Sequence, residues 1–345
     1  MRPSTEKLTD THITLAHGNG GRYMRELIDT VFARYLSVAW PDESMDTEAD
    51  AVLLKDIKGP IFTTVDGFAV HPIEFPGGNI GSLAVHGTVN DLSVAGAIPR
   101  YLTLSAILEE GLEVEVLERA VVSLASAAKA ANVRVVAGDT KVVPRGHGGG
   151  IYFSVSGIGE VDPGLDLGMH YIQPGDQVIV SGPVGDHGAA VMLAREEFGL
   201  HGDVQSDCGS VLPLTRALSG LDGIRFLRDP TRGGLATVTH EIASVTGHRI
   251  RLVEAQIPVR QPVAAICEIL GYDPLYLACE GRCVAIVSAE IAERVIELWR
   301  AMPEGAEATI IGQVETGTGE VLLETPYGGE RRLEELEDDP LPRIC

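Results

Sequence analysis

The 345-residue chain is 45% apolar but only 5% aromatic, holds 40 glycines, and carries a formal net charge of −22 with a pI near 4.8. That sign of surface charge repels nucleic acid and anionic membranes, so neither is expected as a partner, and an anionic substrate would need local metal or basic side chains. No run is long and apolar enough to span a bilayer, Met1-Arg2-Pro3-Ser4-Thr5-Glu6-Lys7 lacks an apolar signal region, and five cysteines (Cys208, Cys267, Cys279, Cys283, Cys345) make an odd set, so a cytoplasmic protein with reduced thiols is expected.

Residues 1–44 read as an arm, with the glycine-rich His17-Gly18-Asn19-Gly20-Gly21-Arg22 ahead of a helix over 23–35 that Pro41 ends. Residues 45–165 read as one compact unit. Its elements are a strand over 61–67, a helix of small residues over 80–95 stopped by Gly96 and Pro99, and a strand over 101–108. An amphipathic helix over 113–131 follows, with Val116, Leu117, Ala120, Val121, Leu124, Ala127 and Ala128 on one face. Strands over 133–143 and 151–158 flank a glycine-rich turn. Pro163-Gly164 and Pro174-Gly175 bracket the passage into a second α/β unit over 166–333. That unit opens with a strand over 177–182, and its helices are predicted near 187–198, 209–219, 233–246, 260–270 and 289–300. Residues 275–279 and 283–288 read as short strands around a tight turn, and 309–314 and 321–324 as the last strands. Residues 334–345 form an acidic, proline-punctuated tail that ends in Cys345.

The familiar nucleotide-loop and hydrolase signatures are missing: there is no G-x-x-x-x-G-K-[ST], no G-x-G-x-x-G between strand and helix, no H-E-x-x-H and no G-x-S-x-G. The first unit instead carries Asp50, Asp66, Asp91 and Asp139 at turns and element ends. Taken singly, each reads first as a cap or turn residue; together, hard oxygen donors at separated points suit Mg²⁺ holding polyphosphate. Lys141 stands two residues beyond Asp139, on the same face of a strand. Such a lysine pairs structurally, stabilises phosphate charge or moves a proton. Asp229-Pro230-Thr231-Arg232-Gly233-Gly234 reads as a loop opening a helix, either as a capped helix start or as a place where an anion meets backbone N–H groups. Glu280 sits at a turn between apolar segments, and C-x3-C at Cys279 and Cys283 lacks the second pair that a zinc site needs. A thiolate is the best nucleophile among ordinary side chains, and Cys345 on an extended arm suits a carrier.

Taken together, His17-Gly18-Asn19-Gly20-Gly21, Val65-Asp66-Gly67-Phe68, Val89-Asn90-Asp91-Leu92, Ala137-Gly138-Asp139-Thr140-Lys141, Asp229 to Gly234 and Pro342-Arg343-Ile344-Cys345 resemble the HypE family of hydrogenase maturation proteins. That family lies within the ATP-binding superfamily of aminoimidazole ribonucleotide synthetase, selenophosphate synthetase and thiamine-monophosphate kinase. The resemblance implies a two-domain PurM-like α/β (α+β) fold: an N-terminal mixed sheet with helices that pairs across a homodimer, and a C-terminal α/β sandwich. It implies ATP and Mg²⁺, with Asp50, Asp66, Asp91 and Asp139 around the metal and nucleotide. Gly20, Gly21, Asp229, Arg232, Gly233 and Gly234 would lie on the phosphates. It implies that a HypF-type carbamoyltransferase loads Cys345, that the chain dehydrates the thiocarboxamide to a thiocyanate with Lys141 and Glu280 handling protons, and that cyanide passes to iron on a HypC–HypD complex. The alternatives are a small-molecule kinase or synthetase of the same superfamily, for which Cys345 is irrelevant, and a non-catalytic scaffold.

Overall fold

The structure is a computed structural model that describes residues 8–38, 51–55, 57–195 and 202–336. Asp50, Cys345 and the tail beyond 336 lie outside the described residues, as do Pro41 and the last residues of the helix predicted over 187–198. The chain divides into two compact units, one formed by residues up to Leu92 together with Ile98–Val161, the other by Ser93–Ala97 together with residues from Asp162 onward. Among the described residues no helix is long and apolar enough to cross a membrane.

In the first unit, α1 (Arg22–Leu27), a π-helical turn (Ile28–Ala33) and α2 (Arg34–Val38) run on without a break, longer at both ends than predicted. β1 (Ile61–Phe68) precedes a short ribbon of β2 (Glu74–Phe75) and β3 (Gly78–Asn79). Then come α3 (Ile80–Val94), β4 (Ala97–Glu109), α4 (Val114–Ala130), β5 (Arg134–Val143) and β6 (Ile151–Val161). Among the described residues β1, β6, β4 and β5 make a four-stranded sheet in that order, with β1 antiparallel to β6 and β5 parallel to β4. The mixed sheet matches the expected fold.

Helix periodicity sets the packing. Leu117, Ala120, Val121, Leu124 and Ala128 of α4 are buried along one stripe. Gly81 of α3 meets α4 so closely that a methyl group there would lie 1.9 Å from the Ala120 carbonyl oxygen. The two helices therefore share one layer. A methyl group on Gly157 of β6 would meet Thr88 and Leu92 of α3, which puts that layer on the sheet. Strand alternation then buries Leu104, Ala106 and Leu108 of β4. Residues of the opposite parity stay open: Ile61 is 50% exposed, Val65 69% and Ile107 37%.

The second unit contains β7 (Gln177–Val180), α5 (Asp186–Ala194), α6 (Leu212–Arg216), β8 (Ile224–Arg228), α7 (Gly234–Thr246) and β9 (Arg249–Val253). It continues with α8 (Gln261–Leu270), β10 (Val284–Val287), α9 (Ala292–Arg300), β11 (Thr309–Glu315), β12 (Val321–Glu324) and β13 (Glu330–Arg332). Among the described residues these strands form a seven-stranded sheet in the order β13-β12-β9-β11-β7-β10-β8. β7 and β10 are apolar at every position except Gln177, as strands covered on both faces must be. Val178, Val180, Val284 and Ile286 pack with Leu235, Val238 and Ile242 of α7. Ile179, Ala285 and Val287 pack on the other side with Leu214 of α6 and Val295, Ile296 and Trp299 of α9. The result is the expected α/β sandwich. The helix predicted over 209–219 shrinks to Leu212–Arg216, with Pro213 in its first turn. β8 and β9 went unread because each is only five residues long and is interrupted by two arginines.

Gly81→Ala should unfold the first unit at lower denaturant. Because the clash is with backbone, a loss of about 3 kcal/mol is expected in a urea titration. An unchanged midpoint would remove the α3–α4 contact as a determinant of that layer.

Candidate active site

In the first unit the glycine-rich arm lies on β5. Ile13 is fully buried and its N–H donates to Leu112 O at 2.8 Å. The buried His17 accepts the Thr14 N–H at Nδ1, at 3.0 Å, which puts the ring proton on Nε2, 3.3 Å from Asp10 Oδ2. The next residue must be small: a methyl on Gly18 would lie 2.8 Å from Val142 N of β5. Gly20 adopts φ +75°, and a methyl on Gly20 or Gly21 would meet nothing within 4 Å, so the backbone there faces open space.

β1 turns Thr64 and Asp66 toward α3. Thr64 Oγ1 donates to Asp91 Oδ2 at 2.9 Å, and Asp66 Oδ1 accepts the Gly67 N–H at 2.8 Å. Gly87, between them on α3, leaves room for the Phe68 ring, which a methyl would meet at 2.8 Å. Asp66 and Asp91 thus stand on facing elements. Asp139 and Lys141 stand elsewhere. Register pairs Asp139 with Ser105 and Lys141 with Ile107, and both charged residues are exposed. Their strand, β5, is the edge opposite β1. Within one chain the structure therefore gathers Asp66 with Asp91, and Asp139 with Lys141, but not the two pairs with each other. Among the described residues no three His, Cys, Asp or Glu side chains converge as a metal cage. The donors of Asp66, Thr64 and Asp91 are all hard oxygens, which fits Mg²⁺ carried in by a polyphosphate that supplies further oxygens.

In the second unit the loop after β8 is fastened to the segment around Glu280. Pro230 O accepts the Cys279 N–H at 3.0 Å. Gly233 and Gly234 adopt φ +69° and +59°, and a methyl on Gly234 would lie 2.5 Å from Leu277 O, so that position admits only glycine. Gly233 itself is the helix cap, with no side-chain cap from Asp229 or Thr231. Asp229 is buried and Arg232 exposed. The strand predicted over 275–279 does not form. Pro274–Tyr276 is a 3₁₀ turn capped by Asp273, and the peptide groups beyond it bond to the start of α5 instead. Gly188 N–H donates to Ala278 O at 3.1 Å, and Gly185 N–H to Cys279 Sγ at 3.2 Å.

Glu280 is only 4% exposed. Asp207 Oδ1 accepts its N–H at 3.1 Å and Oδ2 accepts the Gly281 N–H at 3.3 Å. Arg282 Nε lies 3.5 Å from Asp207 Oδ2, and Asp186 pairs with both Arg282 and Arg260. Burial pushes the Asp207 carboxyl up, opposed first by Arg282, and pushes Asp186 up, opposed first by Arg260. Sequence reasoning missed Asp207, Asp186 and Arg260, because Asp207 meets Glu280 across 73 residues with no local pattern to mark it. Ser206 braces the same loop: its hydroxyl accepts the Cys208 N–H at 2.9 Å and bonds His187 Nδ1 at 2.8 Å.

The tail leaves from the same neighbourhood. Leu333 is fully buried, its carbonyl accepts from His240 Nε2 at 3.0 Å, and Tyr276 Oη donates to Glu334 O at 2.6 Å. A methyl on Gly233 would lie 3.2 Å from Leu336 Cδ2. The Asp229–Gly234 loop, the Glu280 corner and the root of the tail therefore form one cluster.

Residues 48–161 match the family described as AIR synthase related protein, N-terminal domain, and residues 173–323 match AIR synthase related protein, C-terminal domain. The carbamoyl dehydratase HypE of Azotobacter vinelandii is 46% identical over 340 residues, 98% of this chain and 98% of that protein. A crystal structure of hydrogenase maturation protein HypE in complex with ATP is similar with a TM-score of 0.89 at 42% identity, covering 96% of this chain and 99% of that one. A chain in a crystal structure of a HypE–HypF complex is similar with a TM-score of 0.78 at 41% identity, covering 92% of this chain and 100% of that one.

His187 gives the corner a pH signature. Burial pushes its pKa down to about 3, so its contribution is full above the usual value of 6.5 and is lost as pH falls from there toward about 3. The raised carboxyls Asp186 and Asp207 act in the opposite sense, so the comparison is made on one substitution. Between pH 7 and pH 5 the parent should lose up to about 2 kcal/mol through His187. Melting curves of His187→Gln, which cannot be protonated, should be flatter over that window; parallel curves would mean that the ring is not held neutral.

Proposed function

The chain belongs to the HypE family of carbamoyl dehydratases, and on that premise we propose that it dehydrates an S-carbamoyl group on Cys345 to a thiocyanate in an ATP-dependent reaction. The observation that carries this reading is the cluster of Glu280 with the root of the tail. Cys345 lies nine residues beyond Leu336, about 30 Å of fully extended chain. Pro340 and Pro342 favour extended backbone, which suits an arm that enters a narrow channel.

An amide oxygen is a poor leaving group, and ATP with Mg²⁺ supplies the phosphoryl group with which that oxygen departs. The carbon–oxygen bond breaks, two N–H protons leave, and a carbon–nitrogen triple bond remains on sulfur. Glu280, presented from a rigid and nearly dry corner, accepts a proton from the nitrogen. Lys141, on an open strand beside Asp139, holds developing negative charge or carries the other proton. Asp66 and Asp91 hold the metal with its phosphates, Asp50 belongs to the same acidic set, and Asp139, on the opposite edge strand, serves the nucleotide apart from that ion. Gly20 and Gly21 offer open backbone to the nucleotide, and Asp229, Arg232, Gly233 and Gly234 are further phosphate-binding residues on this reading.

A HypF-type carbamoyltransferase loads the cysteine, and a HypC–HypD iron complex receives the cyanide. Two chains pair through the uncovered face of the first unit's sheet, where Ile61, Val65 and Ile107 are exposed. The free thiols Cys208, Cys267, Cys279 and Cys283 suit the reducing cytoplasm.

Mass analysis of the Cys345 peptide tests the reading. After loading by the carbamoyltransferase, Mg-ATP should remove one water from that peptide in the parent. Cys345→Ala should bind ATP and carry no carbamoyl group, whereas Lys141→Ala and Glu280→Ala should load fully and stall before water is lost. A peptide that never acquires carbamoyl in a competent mixture would point to a small-molecule kinase. Normal thiocyanate yield in either stalled variant would take that residue out of the mechanism.

A further inference from the structure

A buried carboxylate is unfavourable unless it is hydrogen-bonded and paired, so Asp207 needs an explanation. Its side chain is 0% exposed. One oxygen accepts the N–H of Glu280 and the other the N–H of Gly281. Those N–H groups belong to the two peptide planes that flank the Glu280 α-carbon. Pinning both planes fixes φ and ψ of Glu280, the torsions that swing its Cβ, and leaves only side-chain rotation free. The carbonyl side is held too, since Glu280 O accepts the Gly209 N–H at 3.3 Å. A methyl on Gly281 would lie 1.9 Å from Asp207 O, so the two segments are zipped backbone to backbone.

Arg282 keeps the carboxylate in place. Its guanidinium donates to Pro183 O at 2.9 Å and to Asp186 Oδ2 at 3.4 Å while lying beside Asp207. Simple closure of a loop needs one hydrogen bond anywhere along it. Here the two bonds hold the peptide groups on either side of the single residue read as a proton acceptor.

We propose that Asp207 is a positioning residue for the dehydration step, aiming Glu280 by holding the peptide groups on both sides of it. The inference rests on the reading of Glu280 as proton acceptor. Asparagine has the same shape but presents an NH₂ group to one of the two N–H donors, so Asp207→Asn releases one plane. Misplacement of a reacting group by about 1 Å costs about 10²-fold in rate.

The test uses the full chain loaded with carbamoyl by the carbamoyltransferase. Asp207→Asn should load to the parent extent, melt within a few degrees of it, and keep its KM for ATP within about twofold, while dehydration at saturating ATP slows by at least about tenfold. Combined with Glu280→Asp, it should add little to the slower single variant, because both act through one group. Three results overturn the proposal: a parent-like rate in folded Asp207→Asn, a loss recovered by raising ATP, or losses that multiply in the combined variant. Should Asp207→Asn fail to fold, Ser206→Ala loosens the same loop more gently and is read in the same way, with a loss of about threefold expected. Glu280→Gln working at the parent rate would remove the proton-acceptor reading itself. Glu280→Gln stalled beside an unaffected Asp207→Asn would overturn only the positioning role.

Discussion

A carboxylate taken out of water must be given donors and a counter-charge, and in the second unit Asp207 receives both. The Glu280 and Gly281 N–H groups and the Arg282 guanidinium converge on it. Much of the second-unit site follows from that arrangement. With Glu280 pinned, Cys279 can present its N–H to Pro230, which fastens the Asp229–Gly234 loop. That loop can approach only because Gly234 has no side chain to strike Leu277 O. Leu336 then lies against Gly233, and Tyr276 holds the Glu334 carbonyl, so the arm bearing Cys345 departs from a fixed point. On the proposed reading a pinned Glu280 suits a proton acceptor, which must meet its proton in a defined place.

Much of the fold was legible because period decides it. The stripe on α4 and the continuous apolar runs of β7 and β10 name their elements without outside help. The candidate site could be nominated from residue types, since Asp-rich turns, a lysine two residues from Asp139 and paired glycines before a helix each carry a local physical meaning. What stayed hidden is non-local. The Asp207–Glu280 contact spans 73 residues. Residues 275–279 look like a strand because they are apolar, yet their peptide groups bond to the start of α5 and to Pro230 rather than to a sheet partner. Their apolar side chains record burial, which a close-packed irregular segment needs as much as a strand does. β8 and β9 failed for the opposite reason: two arginines in each short segment made half-buried strands look like surface.

The geometry of the first unit sets a constraint on the chemistry that the second unit does not. Asp66 and Asp139 occupy the two edge strands of a four-stranded sheet. Three inter-strand spacings separate those edges, about 14 Å, whereas Mg²⁺ binds oxygen at about 2.1 Å. One metal ion cannot touch both carboxylates of one chain. The acidic set must therefore be divided: Asp66 with Asp91, which accepts from Thr64, forms one oxygen-rich group, and Asp139 with Lys141 forms a second of mixed charge. On the proposed reading, mixed charge suits a place where a proton moves, and the purely acidic group suits a cation with its polyphosphate.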